Sequence, residues 1–143
     1  MEAARALEPL AVVEDSDEDF EALSRVLRET TSREGVTRYV TGEDAVAGLL
    51  AGSDPRPALI ILDLNLPGIR GMEVLAQLKS DPQLKVVPVI VLSGSSREED
   101  IDAAYTAGAN AYLSKPLDHG ELRRIVLSLH DFWRIATLPG RGQ

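Results

Sequence analysis

The sequence predicts an α/β fold: a doubly wound sheet of five parallel strands with helices packed on both faces. Two observations support this prediction. Five short runs rich in Val, Ile and Leu alternate with segments whose apolar residues recur at helical spacing. Several of the short runs are continuously apolar, as is typical of strands covered on both faces. Strict alternation of strand and helix indicates a single parallel sheet, because each helix returns the chain to the same end of the sheet.

The predicted strands are short and rich in β-branched residues, as buried strands usually are. They are Leu10–Val13, Val36–Val40, Ala58–Leu62, Val87–Leu92 and Ala109–Leu113. Turn-forming residues separate them from the helices. Pro55 and Pro57 precede the third strand, Asp81-Pro82 is expected to end the third helix, and Gly108 is expected to follow the fourth.

The predicted helices are amphipathic, because their apolar residues return every three or four positions and form one stripe. The five stripes are Phe20, Leu23, Val26 and Leu27; Ala45, Val46, Leu49 and Leu50; Met72, Leu75 and Leu78; Ile101, Ala104 and Tyr105; and Leu122, Ile125, Val126, Leu129, Phe132 and Trp133. Ser96, followed three residues later by Glu99, predicts a capping box at the fourth helix, and Asp118 predicts a cap for the fifth.

Composition bounds the function before any motif is considered. The chain has 143 residues, a formal net charge of −8 and 44% hydrophobic residues, which suits one domain with its own core. It contains no cysteine, which excludes disulfides, thiolate metal sites and cysteine nucleophiles. The acidic excess argues against nucleic-acid binding, because phosphate backbones would be repelled. No apolar run could span a bilayer and residues 1–5 do not begin a secretory signal, so we expect a cytoplasmic protein without a membrane partner.

Chemically capable side chains follow four of the five predicted strands. They are Glu14 and Asp15 after the first strand, Asp63 after the third, Ser93 after the fourth and Lys115 just beyond the fifth. Doubly wound sheets bind their ligands outside this edge. Each residue alone has an ordinary structural explanation as a turn former, a helix cap or a solvated lysine. Their coincidence at one edge predicts a site.

Three carboxylates gathered within a few ångströms need compensation. Like charges about 4 Å apart repel by roughly 4 kcal/mol at an effective dielectric constant of about 20, and Mg²⁺ with oxygen ligands is the simplest remedy. A carboxylate between Mg²⁺ and the Lys115 ammonium group is well placed to attack a phosphoryl donor and form an acyl phosphate. Ser93 offers a hydroxyl group to a phosphoryl oxygen. The acidic residues of Asp17–Asp19 are interpreted as the solvated start of the first helix.

Four segments, taken in order, resemble the receiver domains of bacterial two-component response regulators. They are Val12-Val13-Glu14-Asp15, Leu62-Asp63-Leu64-Asn65-Leu66-Pro67-Gly68, Val91-Leu92-Ser93-Gly94 and Ala111-Tyr112-Leu113-Ser114-Lys115-Pro116. From Asp15 through Asp63 and Ser93 to Lys115, the successive separations are 48, 30 and 22 residues. The segments form a specific set only together.

The resemblance covers about residues 8–131 of a single domain spanning 1–143, whose extended last helix and tail occupy 132–143. It implies a flavodoxin-like (β/α)5 fold with strand order 2-1-3-4-5. It also implies that Asp63 is the phosphoacceptor and a metal ligand. Asp15 is then a direct Mg²⁺ ligand, Glu14 acts through a water molecule, and the backbone carbonyl of Asn65 completes the protein ligands.

The same resemblance implies a switch around the phosphoryl group. Lys115 pairs with that group through a turn set by a cis peptide bond before Pro116. Ser93 closes on a phosphoryl oxygen, and Tyr112 changes its rotamer with it. Two departures from the family pattern are mild: Glu14 stands where aspartate is also common, and Ser93 replaces the more frequent threonine. Both retain the oxygen that the chemistry needs.

By resemblance, the chain accepts a phosphoryl group from a histidine kinase or a phosphotransfer protein. It is then a phosphoacceptor that assists its own phosphorylation and dephosphorylation, not an enzyme. Its output is a protein–protein contact of the face formed by the fourth helix, fifth strand and fifth helix, or onward transfer in a phosphorelay. Two alternatives stay open: a receiver-like scaffold that works without phosphorylation, and a Mg²⁺-dependent aspartyl-phosphate phosphohydrolase. The second is disfavoured because Asn65 stands where that chemistry needs an acidic proton donor.

Phe132 and Trp133 continue the last apolar stripe beyond the expected end of the core. Either they fold back on the domain, or they form a self-association surface on an extended helix. The tail Trp133–Leu138, followed by Pro139-Gly140, is similar to single-domain regulators that work with phytochrome-type histidine kinases. This narrower resemblance implies a kinase of that type as partner and a homodimer through the last helix and tail.

Overall fold

The five strands form one parallel sheet in the order β2-β1-β3-β4-β5, which confirms the predicted fold and topology. The computed structural model describes residues 6–139. Residues 1–5, for which no secretory signal is expected, and the end of the predicted tail from Gly140 onward lie outside the described residues. The strands are β1 (Leu10–Val13), β2 (Val36–Tyr39), β3 (Leu59–Leu62), β4 (Val89–Ser93) and β5 (Ala111–Ser114).

Helices cover both faces of this sheet. They are α1 (Asp17–Leu27), α2 (Gly42–Ala45) continuing as a π-helical turn (Val46–Leu50), α3 (Gly71–Ser80), α4 (Glu98–Thr106) and α5 (His119–Ile135). Alternate strand residues belong to two separate buried clusters, as the pleat requires. One cluster includes Val74 of α3, and the other includes Leu27 of α1 and Val126 of α5. None of the helices within residues 6–139 is long and apolar enough to cross a membrane.

The central strand β1 sets the geometry of the functional edge. Val13 at its end pairs with Tyr39 of β2 and with Leu62 of β3. Every residue of β1, β3 and β4 is buried, whereas the edge strands β2 and β5 are partly exposed. Because β1 and β3 are in register, the residues that follow each strand emerge side by side.

Strands β4 and β5 begin later than the apolar pattern predicts. The Oδ1 atom of Asn110 accepts a hydrogen bond from the Val89 N–H at 2.8 Å, and the Asn110 N–H donates to the Val89 carbonyl at 2.8 Å. The Lys79 ammonium group donates to the Val87 carbonyl at 2.8 Å. These contacts satisfy backbone groups of Val87 and Val89 outside the pairing of strands. Val87 and Ala109 are therefore buried but are not part of the sheet.

The capping box predicted from Ser96 is wrong. Helix α4 has Arg97 as its N-cap residue, without a side-chain cap. Ser95 makes the local hydrogen bonds instead: its hydroxyl oxygen accepts from the Arg97 N–H at 3.2 Å, and its O–H donates to Asp100. The hydroxyl group that organises this turn therefore lies one residue earlier than the sequence pattern suggests.

The other predicted helix boundaries are confirmed. Asp118 caps α5, because its Oδ1 atom accepts from the Glu121 N–H at 2.9 Å. Asp81 is the C-cap residue of α3. Gly108 follows α4 with φ = +112°, a backbone conformation that residues other than glycine rarely adopt.

The extended helix α5 separates its two aromatic residues. Trp133 is 8% exposed and belongs to a buried cluster against which Leu138 of the tail packs. Phe132 is 59% exposed and Ile135 is 80% exposed. Trp133 therefore folds back on the domain, whereas Phe132 faces outward.

Candidate functional site

Three carboxylates converge at the carboxyl ends of β1 and β3. Glu14 and Asp15 follow β1, and Asp63 follows β3, where its N–H donates to the Val13 carbonyl at 3.0 Å. One carboxylate oxygen of each residue lies within 4.8 Å of the others. Glu14 and Asp63 are buried, and Asp15 is partly exposed. The predicted convergence of these three side chains is therefore present.

Lys115 reaches this cluster from the end of β5. Its Nζ atom lies 2.8 Å from Glu14 Oε1, 2.7 Å from Asp19 Oδ2 and 3.0 Å from Asp63 Oδ2. An ammonium group has three donors, so each one faces a different carboxylate. Burial lowers the pKa of Lys115, but the hydrogen bonds to Asp19, Glu14 and Asp63 outweigh it and raise the pKa above its usual value. Lys115 is therefore a permanent cation in this site.

The pKa of Glu14 is raised by its burial in the acidic cluster. Burial raises the pKa of Glu14 to about 7; the charge of Asp63 adds to the rise, while Lys115 and the Ser16 amide oppose it. The Ser16 N–H donates to Glu14 Oε2 at 3.1 Å. Lys115 therefore does not fully offset the burial of Glu14 and the nearby charge of Asp63.

The donor set fits a hard divalent cation. Three carboxylates approach one another at the distance that a shared ion would span, and oxygen donors of this kind are the ligands that Mg²⁺ and related ions prefer. Burial and the charge of Asp63 both disfavour an ionised Glu14, and such an ion would offset them. The chemistry of the residues present is therefore compatible with the predicted metal.

The loop after β3 holds Asp63 by its own backbone. The Asn65 N–H donates to Asp63 Oδ1 at 3.0 Å, and Asn65 is exposed. Gly71 begins α3 directly against this loop, and its N–H donates to the Leu64 carbonyl at 3.2 Å. A Cβ atom at Gly71 would meet the Asp63 carbonyl and the Leu64 backbone. Glycine at position 71 therefore permits the close approach that orients Asp63.

Ser93 and Tyr112 lie on adjacent strands and both contact Ser95. Ser93 is fully buried at the end of β4, and its Oγ atom accepts from the Ser95 N–H at 3.3 Å. The Tyr112 O–H donates to the Ser95 carbonyl at 2.8 Å. The Tyr112 N–H in turn donates to the Tyr105 hydroxyl at 3.0 Å, which joins β5 to α4. The β4–α4 loop is therefore linked to both residues of the predicted switch.

The peptide bond before Pro116 is trans, so the cis bond that the resemblance implies is wrong. Within residues 6–139, the cis peptide bond lies between Glu8 and Pro9. The Lys115 N–H donates to the Ser93 carbonyl at 2.7 Å and continues the pairing of β5 with β4. The Lys115 side chain contacts Asp63 from this strand-like backbone.

Two residues at the site were not predicted from the sequence. Asp19, interpreted as part of a solvated helix start, contacts Lys115. Arg38 of β2 donates to the Glu14 carbonyl from Nε at 3.1 Å and from Nη2 at 3.0 Å. The position of Asp19 in the first turn of α1, directly after Glu14 and Asp15, was the signal that the sequence offered for it. A single arginine in an edge strand gave no comparable signal for Arg38.

Comparison with known proteins agrees with this geometry. Residues 10–127 match the family described as the response regulator receiver domain. Response regulator Rcp1 of Synechocystis sp. is 38% identical over 135 residues, which cover 91% of this chain and 92% of Rcp1. KdpE, the KDP operon transcriptional regulatory protein of Escherichia coli, is 44% identical over 116 residues, which cover 79% of this chain and 50% of KdpE.

Two solved structures extend the comparison to three dimensions. The Mn²⁺-bound form of Rcp1 matches with a TM-score of 0.83 and 38% identity, over 92% of this chain and 98% of that one. The phosphorylated cyanobacterial phytochrome response regulator RcpA matches with a TM-score of 0.85 and 40% identity, over 92% and 97% of the respective chains. A family match over most of the sequence and a relative of nearly equal length establish that this chain belongs to the receiver domains of two-component response regulators.

Proposed function

We propose that this protein is a cytoplasmic phosphorylation switch whose phosphoacceptor is Asp63. The observation that supports Asp63 best is its double contact: its carboxylate shares the acidic cluster with Glu14 and Asp15, and it accepts from Lys115 at 3.0 Å. An Asp63 carboxylate oxygen attacks the phosphorus atom of the donor. The bond from phosphorus to the donor atom breaks, and an acyl phosphate forms on Asp63.

The proposed donor is a phosphohistidine of a histidine kinase or a phosphotransfer protein. The family supports this chemical class of partner, and two relatives with high structural similarity support a narrower one. RcpA is a phytochrome response regulator, and Rcp1 is similar to this chain over almost its whole length. We therefore favour a phytochrome-type histidine kinase as the partner. The protein then accepts one phosphoryl group per molecule and is not a turnover enzyme.

The metal proposed for this step is Mg²⁺. Asp15 and Asp63 would bind it directly, the Asn65 carbonyl would complete the protein ligands, and Glu14 would act through a water molecule. When bound, Mg²⁺ supplies positive charge for the oxygens of the transferring phosphoryl group. The converging carboxylates support this assignment. The Mn²⁺-bound form of Rcp1 is a relative with a divalent ion.

Lys115 and Ser93 are proposed to bind the phosphoryl group after transfer. Lys115 already contacts Asp63, so a small shift of its ammonium group brings it to a phosphoryl oxygen. Ser93 would donate its hydroxyl to another oxygen. Because Ser93 and Tyr112 both contact Ser95, a movement of Ser93 would be transmitted through the β4–α4 loop to Tyr112. The proposed output is therefore a changed α4–β5–α5 surface that a partner protein recognises, or onward transfer of the phosphoryl group.

Acetyl phosphate with Mg²⁺, followed by intact-mass measurement, tests this function. We expect a gain of one phosphoryl group in the wild-type protein and none after Asp63→Asn or in EDTA. Asp102→Asn is the matched control, because Asp102 is an exposed aspartate of α4 away from the acidic cluster. Absence of modification in the wild-type protein would favour the scaffold alternative. Repeated turnover of unrelated phosphoesters would favour the phosphohydrolase.

A further inference from the structure

The guanidinium group of Arg38 contacts both ends of the loop between β1 and α1. Its Nε and Nη2 atoms donate to the Glu14 carbonyl at 3.1 and 3.0 Å. Its Nη1 atom lies 2.8 Å from Asp17 Oδ1, at the first residue of α1. The loop between these two contacts contains Asp15, so one side chain spans the segment that carries the proposed metal ligand.

Arg38 is itself held in place. It lies on β2 directly opposite Val12 of β1, and its side chain is only 20% exposed. Its guanidinium carbon lies 4.6 Å from the centre of the Phe20 ring, which is a cation–π distance. The sheet, an aromatic ring and a carboxylate thus fix the orientation of the group that contacts Glu14.

We propose that Arg38 is a positioning residue for the metal site. By fixing the Glu14 carbonyl and the start of α1 together, it holds Glu14 and Asp15 in the orientation in which their carboxylates approach Asp63. This inference rests on the proposed function, because the metal site belongs to it. The planar fork of an arginine suits the task, since its several donors can contact two acceptors at once in fixed directions.

Charge and positioning predict opposite results when Arg38 is replaced. A guanidinium group close to a cation site repels the cation, so electrostatics alone predicts tighter Mg²⁺ binding once the positive charge is removed. Loss of a residue that orients metal ligands typically weakens metal binding by about 10-fold or more. The sign of the change in Kd therefore distinguishes the two explanations.

Mg²⁺ titration of the full chain, followed by the amide NMR signals around Asp63, measures this Kd. We expect binding about 10-fold weaker after Arg38→Met, whose unbranched apolar side chain keeps contact with Phe20. Arg38→Lys keeps the charge but cannot make the forked contact, so we expect weaker binding there too. Arg25→Met removes the same charge from an exposed pair on α1, and its Kd should stay close to the wild-type value.

A metal-free measurement gives a second readout. Amide hydrogen exchange at Asp15 and Ser16 should accelerate in EDTA after Arg38→Met and not after Arg25→Met. An Arg38→Met or Arg38→Lys protein that binds Mg²⁺ as tightly as wild type, or more tightly, would overturn the inference even if its melting temperature fell, because Arg38 would then only stabilise the fold. Absence of Mg²⁺ binding to the wild-type protein would overturn the proposed function and this inference with it.

Discussion

Lys115 and Asp19 form an ion pair at the solvent side of the site, with 2.7 Å between Nζ and Oδ2. The pair joins the end of β5 to the first turn of α1. Lys115 must share its donors between this carboxylate and any phosphoryl group on Asp63. We therefore expect Asp19 to compete with a phosphoryl group for Lys115 and to repel an anionic phosphodonor.

Asp19→Asn is expected to accelerate phosphorylation by acetyl phosphate. The gain should be no more than about fivefold, because a half-exposed ion pair contributes up to about 1 kcal/mol. The measurement is the rate of mass gain at fixed Mg²⁺ concentration. Glu18→Gln is the control, since it removes the same charge from the same exposed turn. Equal acceleration in both variants would assign the effect to general charge, and a slower Asp19→Asn protein would contradict the competition.

The metal-free protein is expected to lose stability as pH rises from about 4.5 to about 7. Glu14 carries the raised pKa and faces Lys115, Asp63 and Asp15, with the Ser16 amide on its own loop. In this window the folded protein keeps a proton on Glu14 that the unfolded chain has released, so each rise in pH favours unfolding. Urea denaturation in EDTA across this range measures the free energy of unfolding.

The contribution of Glu14 is the difference between wild type and Glu14→Gln in that experiment. Glutamine does not titrate, so the variant should lack this part of the pH dependence. Saturating Mg²⁺ should stabilise the wild-type protein more at pH 8 than at pH 5, because the ion and the proton compete for the same carboxylates. Identical pH profiles of the two proteins in EDTA would contradict a raised pKa at Glu14.

Tyr112→Phe is expected to separate phosphorylation from its structural consequence. The substitution removes the hydrogen bond to the Ser95 carbonyl and leaves the ring, at a cost of about 1 kcal/mol in the free energy of unfolding. Asp63 should still gain a phosphoryl group, whereas the shifts of α4 amide signals on phosphorylation should shrink. Tyr39→Phe removes a hydroxyl group that donates to Asp54, without touching Ser95 or α4, and serves as the control. Unchanged α4 shifts in Tyr112→Phe would show that Ser95 does not transmit the change through Tyr112.

The two aromatic residues of α5 are expected to respond oppositely to truncation. Trp133→Ala should lower the free energy of unfolding by about 3–5 kcal/mol, because it empties a buried site. Trp133→Phe should cost much less, since no acceptor among the described residues pairs with the buried Nε1 donor of Trp133. Phe132→Ala should change stability little. Thermal and urea denaturation check all three, and equal losses at both positions would contradict the observed burial.

Homodimer formation through the last helix and tail stays a prediction, and the structure sharpens its test. Phe132 and Ile135 are the apolar side chains that α5 exposes near its end, whereas Trp133 lies in the core. Sedimentation should therefore compare wild type with Phe132→Ala rather than with Trp133→Ala, because the latter variant is expected to destabilise the folded protein. We expect self-association that weakens in Phe132→Ala. A monomeric wild-type protein at high micromolar concentration would contradict the homodimer.

Features governed by local sequence were predictable, and features set by distant contacts were not. The strict alternation of apolar strands and helical stripes indicated the parallel sheet, and the rule on strand ends brought Glu14, Asp15 and Asp63 together. The pairing of Lys115 with Asp19 joins positions 96 residues apart. No periodicity encodes such a contact.

Two of the errors arise because another hydrogen-bonding side chain competes with the expected one. Ser96 satisfied a local capping pattern, but Ser95 makes the hydrogen bonds because its hydroxyl also contacts Asp100. The apolar pattern predicts a start of β4 at Val87, two residues too early. The side chain of Asn110, which precedes β5, accepts from the Val89 N–H at the point where β4 begins. A competing local contact outweighs the pattern in the first case, and a tertiary contact outweighs it in the second.

The lysines of this protein also determine how it can be attached to a surface. The chain has three of them, Lys79, Lys85 and Lys115. The ammonium group of Lys79 donates to Lys85, Val87 and Asn110, and that of Lys115 faces three carboxylates. Amine-reactive reagents should therefore couple first to the exposed Lys85 among the side chains. Lys85 precedes β4, at the end of the sheet opposite Asp63, so a protein immobilised there would present its proposed phosphoacceptor site to a partner in solution.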